Sequence, residues 1–296
     1  MILNASKEIK MSIITIKNEE LTVEISTLGA ELQSVKCAGE EYLWHGDPAV
    51  WSGRAPVLFP ICGGLKDDKY TLNGKEYTLP KHGFGRKSEF ALESKEEDKA
   101  VFLLKATEET KKGYPFDFEL RIGYTLIGKS IKVEYDVANK STEDMYFSIG
   151  AHEAYATPEG VEEYYLKFEK KERLTHNILK GPLLTEEYTV LGEDIDELQI
   201  KSEYFDIDAI TMLNLKSRKV SLCKKDETKK ITVDFDGFDY MFVWTKAGKN
   251  QGYLCLEPWC GIPDFEVSSY DITEKKGINK LEPEKTFNRV HTITIE

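Results

Sequence analysis

Short runs of alternating apolar and polar residues, each closed by a turn signal, recur along nearly the whole chain. That pattern limits what the chain can fold into. Ile14–Lys17 and Leu21–Ile25 flank the polar Asn18-Glu19-Glu20 and read as a hairpin. Further runs fall at Ala100–Thr107, Phe118–Ile127, Ser130–Val137, Tyr164–Glu169, Val220–Lys224, Ile231–Phe235, Tyr240–Trp244, Gly252–Glu257 and Val290–Glu296. A period of two places alternate side chains on opposite faces of a strand, and Val, Ile, Phe, Tyr and Thr suit a pleated, half-buried surface. Asn73-Gly74, Asp236-Gly237 and Gly248-Lys249-Asn250 supply turn chemistry between runs. No long amphipathic helix competes, and only Glu193–Gln199 offers one short helix. The expectation is an all-β chain, built as a large antiparallel β-sandwich. No internal repeat or low-complexity linker divides it, so residues 11–296 read as one domain. Residues 1–10 read as an N-terminal tail or extension.

Charge and cysteine content narrow the function classes. The formal net charge is −12 over 296 residues. Such a surface repels phosphate backbones and anionic lipid, so neither nucleic acid nor a membrane is an expected partner. No stretch approaches the roughly 18 apolar residues of a membrane span, and the first ten residues lack the apolar segment of a signal peptide. The five cysteines (Cys37, Cys62, Cys223, Cys255 and Cys260) are odd in number and scattered. That argues against a disulfide framework or a structural zinc site and for a reducing, cytoplasmic location.

Five histidines are present, and each can be weighed. His82 lies in Pro80-Lys81-His82-Gly83-Phe84-Gly85-Arg86, where the glycines allow a close backbone approach. The loop either presents an imidazole and the Arg86 guanidinium to one pocket or is a turn that happens to contain a histidine. His152, in Gly150-Ala151-His152-Glu153, has small neighbours that leave room for a ligand; the plainer reading is a strand-end histidine bonded to a carbonyl. His45, His176 and His291 read as structural. Glu257 ends an apolar run, a proline expected to stop the ladder follows it, and Trp259 is close by. In such apolar surroundings a carboxyl's pKa rises toward that of a working base. A solvated strand-end acid is the alternative. Arg54, before Ala55-Pro56-Val57-Leu58-Phe59-Pro60, either points into a cleft or is a surface arginine. Asp208 is a weaker candidate, because Asp206 competes with it.

Taken together, Arg54 with Pro56 and Phe59-Pro60, His82-Gly83-Phe84-Gly85-Arg86, Gly150-Ala151-His152, Asp208-Ala209 and Leu256-Glu257-Pro258-Trp259 resemble the aldose 1-epimerase family in order and spacing. Within it they are similar to the LacX-like branch. The resemblance implies a β-supersandwich like that of the galactose mutarotases, with the site on a concave sheet. It implies Glu257 as general base and His152 as general acid, with His82, Arg86, Arg54, Asp208 and Trp259 binding a hexose. No cofactor and no metal is implied, and no P-loop, dinucleotide-binding glycine pattern or H-E-x-x-H is present. The activity implied is that of a carbohydrate isomerase interconverting α and β anomers. Three alternatives stand beside it. One is the same chemistry on a hexose 6-phosphate, held by Arg54, Arg86 and Lys81 or Lys87. Another is a carbohydrate-binding or sensing protein without catalysis, which would not need both His152 and Glu257. The third is a glycosidase using Asp208 and Glu257 as its two carboxylates. Neither the sugar nor the oligomeric state can be read from these motifs.

Overall fold

Two antiparallel sheets of unequal size carry the architecture of the computed structural model, which describes residues 12–249 and 251–296. The expected N-terminal tail and Asn250 of the expected turn lie outside the described residues. The larger sheet has nine strands. In spatial order these are Leu183–Gln199, Tyr164–Lys180, Lys219–Lys224, Lys230–Asp234, Thr286–Ile295, Ser130–Asn139, Phe118–Ile127, Lys99–Lys105 and Ala91–Lys95. The second sheet centres on Tyr253–Cys260. On one side this strand pairs with Tyr240–Trp244 and, through it, Ile210–Met212. On the other it pairs with two short pieces, Ile149–Gly150 and Glu153–Ala156. The N-terminal strands Ile13–Lys17, Leu21–Ser26, Leu32–Cys37 and Glu40–Glu41 form a further sheet. Among the described residues, no helix is long and apolar enough to cross a membrane.

Alternation explains the layering. In the second sheet Met241, Val243, Leu254 and Leu256 face a core shared with Ile131, Val133, Ile293 and Ile295 of the large sheet. Phe242, between Met241 and Val243, and Trp259, three residues beyond Leu256, belong to a separate apolar cluster on the opposite face. One sheet thus seals the core on one side and lines a cleft on the other.

The first hairpin forms where expected. The Asn18 side chain accepts from the backbone N–H groups of Glu20 and Leu21, at 2.9 and 2.7 Å, and fixes the turn. Two sequence expectations are corrected. Glu193–Gln199 is strand rather than helix, part of Leu183–Gln199. Ile195 and Leu198 are spaced as on a helix, but they pair with Glu172 and Leu166 of the neighbouring strand. Asp194 at φ +53° and the register shifts around Glu172 erase the period-two signal. Nor does Pro258 stop its strand, which runs on to Cys260. The Ala151 N–H still donates to the Pro258 carbonyl at 3.1 Å. The Trp259 indole N–H donates to the Ala151 carbonyl at 2.9 Å, opposite the position where proline lacks its own donor.

Candidate active site

His152 occupies the gap between the two short pieces that pair with Tyr253–Cys260. The register is the same on both sides of that gap, with Gly150 opposite Trp259 and Glu153 opposite Leu256. His152 therefore falls opposite Glu257. Its Nε2 lies 3.4 Å from Glu257 Oε1. Both side chains are buried, and His152 Nδ1 and Glu257 Oε1 have no hydrogen-bond partner.

The other residues close around this pair. Trp51 stacks on the His152 ring at 5.4 Å between centroids, and Trp244 and His82 meet it edge-on, each at 5.7 Å. Trp259 meets His82 at 5.6 Å and stacks on Phe242 at 3.9 Å. The His82 loop is held by reciprocal bonds. His82 N–H donates to the Gly63 carbonyl at 2.8 Å, and Gly63 N–H donates to His82 Nδ1 at 3.1 Å. A neutral imidazole accepting at Nδ1 carries its proton on Nε2, so His82 has one donor left for a ligand. His82 sits at φ +68°, uncommon for a residue with a side chain. A Cβ on Gly83 would lie 2.3 Å from the Phe59 carbonyl oxygen, so only glycine permits that approach.

The cleft has a volume of about 280 Å³, just below the roughly 300–1,000 Å³ usual for small-molecule pockets. Its polar lining is Lys81, His82, Arg86, His152, Asp208 and Glu257, set among aromatic and apolar side chains. Lys81 Nζ pairs with Asp208 at 3.3 Å, and Arg86 donates through Nη2 to the Lys81 carbonyl at 3.1 Å. Arg86 Nε is buried without a partner.

Burial acts on each titratable group. It lowers His152 to about 3, and nearby Lys81 and Arg86 push the same way. It also lowers His82 well below the usual imidazole value. Burial, then the Asp208 charge, raises Glu257 well above the usual carboxylate range. Both members of the central pair are thus driven toward their neutral forms. With both members neutral, the pair holds one titratable proton, on the carboxyl. Moving it to His152 would give a carboxylate beside an imidazolium without changing the total. Two groups that share one proton, with a cleft on one side, can remove a proton from one ligand atom and deliver one to another. His152, Cys255 and Glu257 also place one donor atom each within 4.8 Å of one another, a set that could hold a metal ion.

Of the residues singled out in the sequence, His82, Arg86, His152, Asp208, Glu257 and Trp259 line one cleft. Arg54 does not. Its guanidinium donates to the Gln33 carbonyl, and its backbone N–H donates to the Glu31 carboxylate at 2.9 Å. The Glu31 carboxylate also takes the Ala55 N–H, which fixes the chain direction at this point. Sequence reasoning missed Trp51, Phe242 and Trp244, whose sequence contexts carry no signal beyond aromaticity. It also missed Leu179 and Pro182, brought in by the turn between the two longest strands.

The aldose 1-epimerase family model matches residues 12–286. The chain belongs to the aldose 1-epimerase family. Among relatives of this family member, the plasmid protein LacX of Lactococcus lactis subsp. lactis is 39% identical over 95% of this chain and 99% of its own. A putative glucose-6-phosphate 1-epimerase of Escherichia coli (strain K12) is 28% identical over 50% of this chain and 52% of its own. Among solved structures, a galactose mutarotase related enzyme from Lactobacillus acidophilus superposes with a TM-score of 0.91 at 34% identity. That superposition covers 96% of this chain and 97% of the other. A galactose mutarotase-like protein from Lactobacillus casei ATCC 334 gives 0.92 at 27% identity, covering 96% of this chain and 100% of the other. The fold is therefore the all-β, galactose mutarotase-like one, and the general role is that of a carbohydrate epimerase.

Proposed function

We propose that this chain interconverts the α and β anomers of a free hexose, with Glu257 as general base and His152 as general acid. The observation that carries the reading is the 3.4 Å approach of His152 Nε2 to Glu257 Oε1 in a buried cleft. Ring opening of a cyclic hemiacetal needs two groups of opposite protonation state at one centre. Glu257 takes the proton of the anomeric hydroxyl, the C1=O bond forms as the bond from C1 to the ring oxygen breaks, and His152 protonates that oxygen. Rotation about C1–C2 and the reverse transfers give the other anomer. The pair begins and ends with one proton. Burial disfavours the charged starting arrangement, and sugar hydroxyls donating to Glu257 stabilise it on binding. His82 Nε2 donates to the sugar, Arg86 and Asp208 hold hydroxyls, and the apolar face of the ring packs on Trp259. None of these steps is routed through a metal or cofactor.

Polarimetry on a freshly dissolved single anomer tests this. Glu257→Gln should slow equilibration by about 10²–10⁴-fold, the usual contribution of one such proton transfer, while sugar still quenches tryptophan fluorescence. A variant with the wild-type rate removes Glu257 from the mechanism.

A second reading, a hexose 6-phosphate as substrate, is favoured by one observation: Arg86 Nε is buried without a partner in a cleft that also holds Lys81. The Lys81–Asp208 pair already occupies one of those cations, which supports the free sugar. Comparing kcat/KM on glucose and glucose 6-phosphate separates the two readings.

A further inference from the structure

Glu153 follows His152 and, by strand alternation, points to the opposite face of the sheet, into the core. There its Oε1 lies 3.3 Å from Nε2 of His291, on the Thr286–Ile295 strand of the large sheet. Both side chains are buried, at 3% and 0% exposure. The ring of His291 stacks on Tyr135 at 5.7 Å and meets Phe238 edge-on at 5.9 Å, so it is fixed from two further directions. Three polar atoms of the pair make no hydrogen bond: Glu153 Oε2, His291 Nδ1 and His291 Nε2. A core that placed apolar residues at both positions would avoid that cost. Stability alone therefore accounts poorly for the pair.

Its location supplies a reason. His152 sits in the one interruption of the strand pairing on that side of Tyr253–Cys260, with Pro258 across the gap. No ladder bond falls on His152 itself: the Ala151 N–H and the Trp259 indole hold the chain just before it, and the strand that Glu153 begins holds it just after. We propose that Glu153 and His291 are positioning residues: their 3.3 Å inter-sheet contact, a tie anchored by the packing of His291 against Tyr135 and Phe238, steadies the backbone beside His152 and so helps set the His152–Glu257 distance. The tie acts through the strand and touches no substrate. A displacement of about 1 Å at a reacting group can cost on the order of 100-fold in rate.

The kinetic arm of the test rests on the anomerase reading above; the spectroscopic arm does not. Glu153→Ala should lower kcat at least about tenfold with KM within about twofold. Glu153→Gln, which still reaches His291, should keep most of the activity. Removing one partner of a buried pair can prevent folding, so the double variant Glu153→Leu/His291→Phe is the second arm. It fills the space with apolar atoms and should fold, yet show the same loss in kcat. The ring ¹H–¹⁵N signals of His152 should be sharp in the wild type and in Glu153→Gln. In Glu153→Ala and the double variant they should broaden or split, with His82 unchanged. An unchanged kcat in the folded double variant, or a loss confined to stability in Glu153→Ala, overturns the proposal. If the wild type turns over no sugar, the function reading falls and the His152 signals decide the tie alone. Signals unaffected by Glu153 overturn it, and signals that respond uphold it.

Discussion

His152 and Glu257 are directly opposed residues on two antiparallel neighbours, 3.4 Å apart, and both project from the face of the sheet turned away from the core. Strand register places them opposite each other across the gap in the pairing. The cost of that arrangement is two ionisable groups out of water, and it leads to measurable consequences.

The first concerns acid stability. The His152 imidazole is lowered from its ordinary 6.5 to about 3, chiefly by burial. Between those values the unfolded chain binds a proton at this position and the folded chain does not, so stability rises with pH across that window. The span is worth a few kcal/mol, at about 1.4 kcal/mol per pKa unit. His152→Asn should flatten the acid limb of a plot of urea midpoint against pH. An acid limb as steep as that of the wild type would place the charging cost elsewhere.

Glu257 has the opposite sign. Its folded pKa is raised above 4.5, so above pH 4.5 the unfolded chain has released a proton that the folded chain retains. Stability is lost as pH rises from that point. Glu257→Gln does not titrate and should be more stable than the wild type at pH 7, by about 0.5–2 kcal/mol, the usual size of a single stabilising substitution. The advantage should shrink toward pH 4. Thermal scans at both pH values, set beside the polarimetric rate, would show stability gained where activity is lost.

Trp259 does two things at once: it lines the cleft and donates to the Ala151 carbonyl at 2.9 Å. Trp259→Phe keeps an aromatic face but leaves that buried carbonyl without its donor, at a cost of about 1–3 kcal/mol. Denaturant unfolding should show the loss, and KM should rise less than kcat falls, because Ala151 precedes His152.

Gly150 is required by the same tryptophan. A Cβ there would lie 2.5 Å from Trp259 Cδ1 and 2.9 Å from Cys62 Sγ. Gly150→Ala should destabilise the protein by about 1–3 kcal/mol through overpacking. It should also shift the tryptophan fluorescence. A variant with wild-type stability and spectrum would mean that the indole has room to move.

How much of this was legible in the sequence varies by residue. Phe118–Ile127 is a strand with the bounds its alternation suggests, because Phe118, Leu120, Ile122, Tyr124 and Leu126 all face one core. Glu193–Gln199 was misread because Asp194 adopts a left-handed conformation that breaks the alternation, and the pairing partner that overrides local spacing lies across a separate strand. The acid–base candidates were visible as side chains of the right chemistry beside small or apolar neighbours. Arg54 was visible for the same reason, yet its guanidinium is turned to the Gln33 carbonyl. Trp51 could not be found at all, since only the packed chain brings its ring 5.4 Å from His152.

The sequence by itself determined the regularly alternating strands, through their period of two, and the chemical types available for a site. The tertiary structure alone decided which of them meet. It also decided their protonation, since a pKa depends on burial and on charges brought close from distant parts of the chain. Neither the register that opposes His152 to Glu257 nor the core contact between Glu153 and His291 exists until the sheets have paired and packed.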